Sequence, residues 1–260
     1  MPLKVFITGA SSGIGAALAR HYAAAGATVA LTARRIDVLD ALKAELGART
    51  ETYAADVTDS ASLTRAARAF MERHGTPDVV IACAGVSIGV DSALQEDVPV
   101  FRQVMDTNVL STCITFQPFI AAMKQQRRGA LAGIASVAGI RGIPGSGAYS
   151  ASKAAVIAYC EALRVELRGS GVDVVTIAPG YIRTPLTAGN AYPMPFLTDA
   201  PVFAARAAAA IAAGESYRVI PWQMGVVAKL LRALPNWLFD RVMARAGRKA
   251  RHTNVTDPIN

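Results

Sequence analysis

The stretch Lys4-Val5-Phe6-Ile7-Thr8-Gly9-Ala10-Ser11-Ser12-Gly13-Ile14-Gly15-Ala16-Ala17-Leu18 decides the fold. Its first five residues read as a short buried strand, and the alanine- and leucine-rich run after Gly13 reads as a helix. A turn without bulky side chains between a strand and a helix brings backbone N–H groups and the positive helix end to one point. That arrangement suits a diphosphate. The spacing is Gly-x3-Gly-x-Gly, not the Gly-x-Gly-x2-Gly of the better-known dinucleotide turn, and by itself it also serves plain chain reversal.

The same alternation continues outward. Residues 4–8, 28–32, 50–54, 79–82, 130–135, 173–178 and 217–220 read as strands, and 14–25, 39–46, 61–74, 100–124 and 148–168 as helices between them. Alternating β and α elements imply right-handed crossovers and a parallel sheet covered on both faces. The expected fold class is therefore α/β, a Rossmann-like doubly wound parallel sheet of about seven strands. Residues 1–221 form one dinucleotide-binding and catalytic domain. Five prolines between Pro179 and Pro201 break the rhythm, so a substrate flap is expected at about 184–214.

Composition limits what this chain does. The 260 residues are 52% hydrophobic and 18% charged, which suits a large core and excludes a disordered tail protein. Cys83, Cys113 and Cys160 lie in apolar stretches without CxxC spacing, which argues against a disulfide framework or a metal site and for a reducing compartment. The N-terminal run lacks the pattern of a signal peptide, and no charge-free stretch is long enough for a bilayer span. The expected location is cytoplasmic, with peripheral contact on the inner face of a membrane left open. Basic residues interleaved with aromatics do not run through the first 220 residues, so nucleic acid is not an expected partner.

The second strand ends in Leu31-Thr32-Ala33-Arg34-Arg35. An acidic residue there would accept from a ribose 2′-hydroxyl, whereas a guanidinium pairs with a 2′-phosphate. Two arginines next to a helix start are also misplaced for the helix dipole unless they answer an anion. The expected cofactor is NADP(H). Further on, Tyr149 and Lys153 are four residues apart, on one helical face, where the ammonium is expected to lower the pKa of the phenol. Ser136 follows the fifth strand, and Asn108 lies in the helix before it. The histidines His21, His74 and His252 sit beside no nucleophile, which argues against a Ser-His-Asp hydrolase.

Thr8–Gly15, Ala84-Gly85, Asn108, Ser136, Tyr149, Lys153 and Pro179-Gly180 occur in an order and spacing that resembles the short-chain dehydrogenase/reductase family over about residues 3–221. The resemblance implies an oxidoreductase that moves a hydride between a nicotinamide and a carbonyl or secondary alcohol. It implies Tyr149 as general acid, Ser136 as polariser of the carbonyl, Lys153 as partner of the phenol, and Asn108 as holder of a water linking Lys153 to solvent. Gly9, Ser11, Gly13, Ile14 and Gly15 would hold the pyrophosphate and ribose; Arg34 with Arg35 the 2′-phosphate; Asp56 and Val57 the adenine; Ala84 and Gly85 the inner ribose. Pro179, Gly180, Ile182 and Thr184 would cradle the nicotinamide, and Tyr149 and Lys153 would grip its ribose.

Two departures from the family pattern stand out. Ala82-Cys83-Ala84-Gly85 replaces the usual Asn-Asn-Ala-Gly, which removes a strand-bracing amide and puts in a thiol whose expected role is packing. Residues 222–260 form a basic extension, with seven cations against two anions. Met224, Val227, Leu231 and Leu234 make an apolar stripe, which packs on the domain or a second subunit, or seats on anionic lipid. The flap residues Tyr192, Met194, Pro195, Phe196 and Leu197 carry no charge, pointing to a neutral hydrophobic ketone or aldehyde. An acyl thioester whose phosphate is met by Arg183, Arg141 and the tail cations, alcohol oxidation, and a non-catalytic NADP-binding scaffold stay open. A homodimer is expected through residues 100–124 and 148–168, with a tetramer as the alternative.

Overall fold

The computed structural model describes residues 2–190, 192–244 and 247–251. Nine strands occur among them, β1 (Lys4–Thr8), β2 (Thr28–Ala33), β3 (Thr50–Ala54), β4 (Val79–Ala82), β5 (Gly129–Ile134), β6 (Val172–Pro179), β7 (Ile182–Arg183), β8 (Thr198–Asp199) and β9 (Tyr217–Ile220). Seven of them form one parallel sheet in the order β3-β2-β1-β4-β5-β6-β9, and β7 pairs with β8 apart from it. The strand order reverses between β1 and β4. A crevice at the carboxyl ends of the strands opens at such a reversal.

The central strands alternate their side chains between two buried faces. On one side, Val5, Ile7, Val29 and Leu31 pack against α1 (Gly13–Ala24), α2 (Ile36–Leu46) and α8 (Ala200–Ala212). On the other, Phe6, Val80, Leu131 and Val174 pack against α3 (Ser60–His74), α5 (Ser111–Gln126) and α6 (Gly147–Glu166). The aromatic centre of that second layer is Phe6 with Phe119, ring centroids 4.9 Å apart, and Phe70 at 5.8 Å. Asp59 caps α3 by accepting from the Ala61 amide at 2.9 Å. Helix α6 lies close on β5 because Gly133 has no side chain: a Cβ there would come within 2.6 Å of Cys160 Sγ.

The helix expected over 100–124 is divided. Helix α4 (Val98–Met105) gives way to a π-helical turn at Asp106–Leu110 before α5 begins. One inserted residue rotates the helix face, and Asn108 is left with no exposed surface. Within the expected flap, α7 (Pro185–Ala188) and the β7–β8 pair are followed by α8, whose Phe203, Ala204, Ala207 and Ile211 are buried in the core.

The extension folds as α9 (Trp222–Ala233) and α10 (Asn236–Met243). Met224 and Ala228 of α9 are buried and Val227 and Leu231 half-buried, so the apolar stripe faces the domain. Arg141 holds this end in place. It donates to the Leu231 carbonyl, to the Leu234 carbonyl at 2.7 Å and to Asn236 Oδ1 at 3.0 Å, with its guanidinium 3.7 Å over the Phe239 ring. Trp222 and Trp237, 66% and 70% exposed, point away from it with Val226 and Leu230. Arg245, His252, Asp257 and the end of the second expected tail helix lie outside the described residues. No helix among the described residues is long and apolar enough to cross a membrane.

Candidate active site

The turn after β1 takes its shape from glycine. Gly9 has φ +68°, and a Cβ on it would lie 2.7 Å from the backbone of Ala84, so the turn and the end of β4 meet backbone to backbone. A Cβ on Gly15 would overlap the Gly9 carbonyl, which lets α1 start directly beneath the turn. Strand bracing is done by Thr8. Its hydroxyl donates to the Ile81 carbonyl at 3.4 Å and accepts from the Cys83 amide at 3.3 Å, tying β1 to β4 where the family pattern would place an asparagine. Cys83 is half-buried against the core, and burial pushes its thiol up to about 12, which keeps it protonated.

A cleft of about 1100 Å³ lies along this carboxyl edge. Gly9, Ser11, Gly13, Ile14 and Gly15 form one wall, and Arg34, Arg35, Asp56 and Val57 close one end. Ala84 and Gly85 after β4, Tyr149 and Lys153 of α6, and Pro179, Gly180, Ile182 and Thr184 after β6 complete it. Every residue expected to touch the cofactor therefore lines a single space. Asn108 and Ser136 stand behind it, both buried.

At the arginine end, Asp56 is raised by burial but more strongly lowered by the Thr58 amide and hydroxyl, at 2.9 and 2.7 Å, and by the charge of Arg34. Its carboxylate stays ionised below the usual range. Arg35 precedes α2 without a side-chain cap. No acidic residue occupies the tip of β2, where Ala33 is buried.

At the other end, Lys153 is 5% exposed, and its ammonium donates to the Ile134 carbonyl at 2.8 Å while standing 5.7 Å from the centre of the Tyr149 ring. Ser136 caps the turn after β5 by accepting from the Ala138 amide at 3.1 Å, and its hydroxyl lies 3.5 Å from the Pro179 carbonyl. The Asn108 carboxamide accepts from the Val86 amide at 2.8 Å and donates to the Val86 carbonyl and Ser152 Oγ, both at 2.9 Å. A Cβ on Gly85 would lie 3.2 Å from Asn108 Oδ1 and 3.4 Å from Lys153 Nζ, so these two groups flank the same point.

The electrostatics correct one expectation. Burial raises the Tyr149 phenol and outweighs the nearby Ser136 hydroxyl, which acts in the opposite sense; Tyr192 and Cys83 add to the rise. Burial also lowers Lys153 to about 8. Sequence spacing shows that the two side chains share a helix face but says nothing of the desolvation both undergo. Near neutral pH both side chains therefore keep their protons, and the phenol is ready to donate.

Several further residues line the cleft, among them tail cations that the sequence offered only to a thioester's phosphate or to anionic lipid. Arg102 of α4 and Arg248, Lys249 and Ala250 of the extension line it. The extension returns from α10 to the cleft mouth, and no local pattern signals a return of that kind. Two other cations are already engaged: Arg183 is paired with Asp199 at 2.8 Å, and Arg141 holds the end of α9. The thioester reading loses these two contacts and keeps the tail cations Arg248 and Lys249, which line the cleft.

A seven-stranded parallel sheet with a glycine turn and a polar, lysine-bearing cleft at its switch point defines a Rossmann-type, nucleotide-binding oxidoreductase fold. The chain belongs to the short chain dehydrogenase family, which it matches over residues 4–192. It is 38% identical over 242 residues to an uncharacterised oxidoreductase of Myxococcus xanthus, covering 92% of this chain and 95% of that protein. That match runs past Pro221, so part of the extension is shared. It is 37% identical over 186 residues to a sulfoacetaldehyde reductase of Chromohalobacter salexigens, covering 70% of this chain and 74% of that one. Among solved structures, a 3-ketoacyl-(acyl-carrier-protein) reductase of Brucella melitensis complexed with NADH superposes with a TM-score of 0.77. It is 25% identical, covering 84% of this chain and 94% of that chain.

Proposed function

We propose that this oxidoreductase is an NADP(H)-dependent carbonyl reductase in which Tyr149 is the general acid. The observation that carries the reading is the convergence of Tyr149 and Lys153 on one cleft with the glycine turn, with Lys153 Nζ 5.7 Å from the phenol ring. The cleft suits a dinucleotide: Gly9 and Gly15 leave backbone where side chains would intrude, and Arg34 and Arg35 stand at the end where a 2′-phosphate would lie. Bound there, the nicotinamide supplies a hydride to the carbonyl carbon.

This chain's own residues do the rest. As negative charge grows on the carbonyl oxygen, Tyr149 Oη donates its proton and the Ser136 hydroxyl donates a hydrogen bond. The raised pKa of the phenol keeps that proton in place until it is needed. Lys153 then stabilises the phenolate, and Asn108 fixes the loop at Val86 and carries the water relay to Lys153. Arg34 and Arg35 hold the 2′-phosphate, and Pro179, Gly180, Ile182 and Thr184 hold the carboxamide end. The flap supports a hydrophobic ketone or aldehyde, since Leu186 and Tyr192 bring apolar surface to the cleft and Arg183 is paired.

Assembly follows from the same helices. The outward face of α6 presents Ala151, Ala154, Ala158, Ala162 and the exposed Val165, a small apolar surface suited to packing on a second copy. A homodimer through α5 and α6 is our reading. Lipid contact would rest on Trp222, Val226, Leu230 and Trp237 with Lys229, Arg232 and Arg241, because Lys249 and Arg251 bind the chain's own groups.

The test is spectrophotometric NADPH oxidation across ketones, aldehydes and quinones, with the reverse reaction measured at matched pH. Carbonyl-dependent oxidation is expected. Its absence across the panel, with NADPH binding confirmed, favours a binding protein without redox chemistry, and faster alcohol oxidation reverses the direction.

A further inference from the structure

We propose that the returning segment 247–251 forms a wall of the substrate site and that Lys249, with Arg248, selects carbonyl compounds carrying an anionic group. The inference rests on the reductase reading above and revises its substrate from neutral to negatively charged. Four observations support it.

The segment is fixed in place. Arg251 grips the buried Asp97 through Nε at 2.9 and 3.0 Å and Nη2 at 2.8 Å, and the same carboxylate accepts from the Asp91 amide at 2.7 Å. It also bridges to Gly89 in strand fashion. A bidentate pair with one partner buried holds the segment's backbone against the loop after β4.

The segment lies against the reaction centre. A Cβ on Gly145, four residues before Tyr149, would lie 3.1 Å from the Lys249 amide nitrogen and 3.2 Å from Arg248 Cβ. A Cβ on Gly247 would lie 2.8 Å from Tyr192 Cβ. Tyr192, Tyr149, Arg248 and Lys249 line the same cleft. Segment, flap and general acid therefore surround one volume.

The charge in that volume is unmatched among the described residues. Lys249 Nζ is held by the Ser87 carbonyl at 2.7 Å and Ser87 Oγ at 2.8 Å, which leaves one of its three N–H donors. Neither Lys249 nor Arg248 has a carboxylate within ion-pair distance, whereas Arg251 two residues on does. Of the carboxylates in the cleft wall, Asp56 is engaged by Thr58 at the arginine end, and Asp106 pairs with neither cation. A part-buried ammonium held only by neutral oxygens is a counter-charge for a ligand anion.

Nothing in the hydride and proton chemistry requires these two cations. They lie against Gly145, close to Tyr149 in sequence, whereas Arg34 and Arg35 at the end of β2 suffice for a 2′-phosphate. Their remaining use is recognition of the substrate itself. The anion is a carboxylate, sulfonate or phosphate ester separated from the carbonyl by a short chain; Arg183 is paired with Asp199 and does not compete for it.

The experiment compares kcat/KM for a panel of aldehydes and ketones, each offered as a free carboxylate and as its methyl ester, with NADPH saturating. The expected result is a preference for the carboxylate that falls at least about tenfold in Lys249→Met and is retained in Lys249→Arg. On the unaltered protein, succinate is expected to compete with the aldehyde but not with NADPH, while dimethyl succinate does not compete. Esters reduced as fast as acids, or succinate without effect, overturn the inference and leave the reductase reading standing. A change in Lys249→Met confined to the KM for NADPH assigns the cation to the cofactor and also overturns it. If no member of either series is reduced, the reductase reading itself fails.

Discussion

Replacing Lys153 by Met removes a buried charge while keeping most of the side chain's bulk, and it separates stability from catalysis. Burial carries the lysine from 10.5 to about 8, which corresponds to about 3 kcal/mol against the charged form. The variant loses the hydrogen bond to the Ile134 carbonyl, a loss of about 1 kcal/mol. The net gain near neutral pH is about 2 kcal/mol, or about 5 °C in Tm for a chain of this size. The pH dependence has a definite sign. Between about 8 and 10.5 the unfolded chain, with its lysine at the ordinary value, holds more protons than the folded one, so the unaltered protein gains stability as pH rises through that window. The penalty is fully present below about 8 and gone above 10.5. Thermal melts of both cofactor-free proteins, followed by circular dichroism at neutral pH and at about pH 10, should show the variant ahead at the first and the gap narrowed at the second. Carbonyl reduction by the variant should fall at least about a hundredfold. A variant that melts at or below the Tm of the parent near neutral pH, or a gap that stays constant with pH, refutes the claim that Lys153 is charged at a desolvation cost.

Two further outcomes test other parts of the cleft. Arg34→Glu should lower the ratio of kcat/KM for NADPH to that for NADH at least about tenfold, and an unchanged ratio would remove Arg34 from the 2′-phosphate site. Gly15→Ala places a Cβ on the Gly9 carbonyl, so it should cost about 1–3 kcal/mol of stability and weaken NADPH binding measured by fluorescence; normal binding would show that the turn tolerates a side chain.

Much of this was legible in the sequence because burial on both faces leaves a plain signal. All seven strands of the main sheet lie within a residue or so of the expected ends, since runs such as Val79–Ala82 and Val5–Ile7 are apolar throughout. The glycine turn, Ser136, Tyr149 and Lys153 were legible because each sits at a strand end or on a helix face that topology alone brings to the sheet's carboxyl edge. What could not be read depended on contacts distant in sequence. The π-helical turn that buries Asn108 breaks an unbroken helical pattern, and its carboxamide answers Val86, 22 residues away. The direction of the Tyr149 shift required knowing how deeply α6 is covered. The return of Lys249 to Ser87 joins residues 162 apart, and the tail's own pattern reads only as an amphipathic segment that packs on the domain, a second subunit or lipid. Likewise, Arg141 looks like a free cation in sequence but is consumed by the carbonyl groups at the end of α9.

The central claim is that Tyr149 supplies the proton for reduction. The direct measurement is Tyr149→Phe, with NADPH affinity followed by fluorescence titration and hydride transfer followed as loss of nicotinamide absorbance in a single turnover. Retained affinity with transfer slowed at least about a hundredfold is the predicted result. Transfer at the rate of the unaltered protein would contradict it.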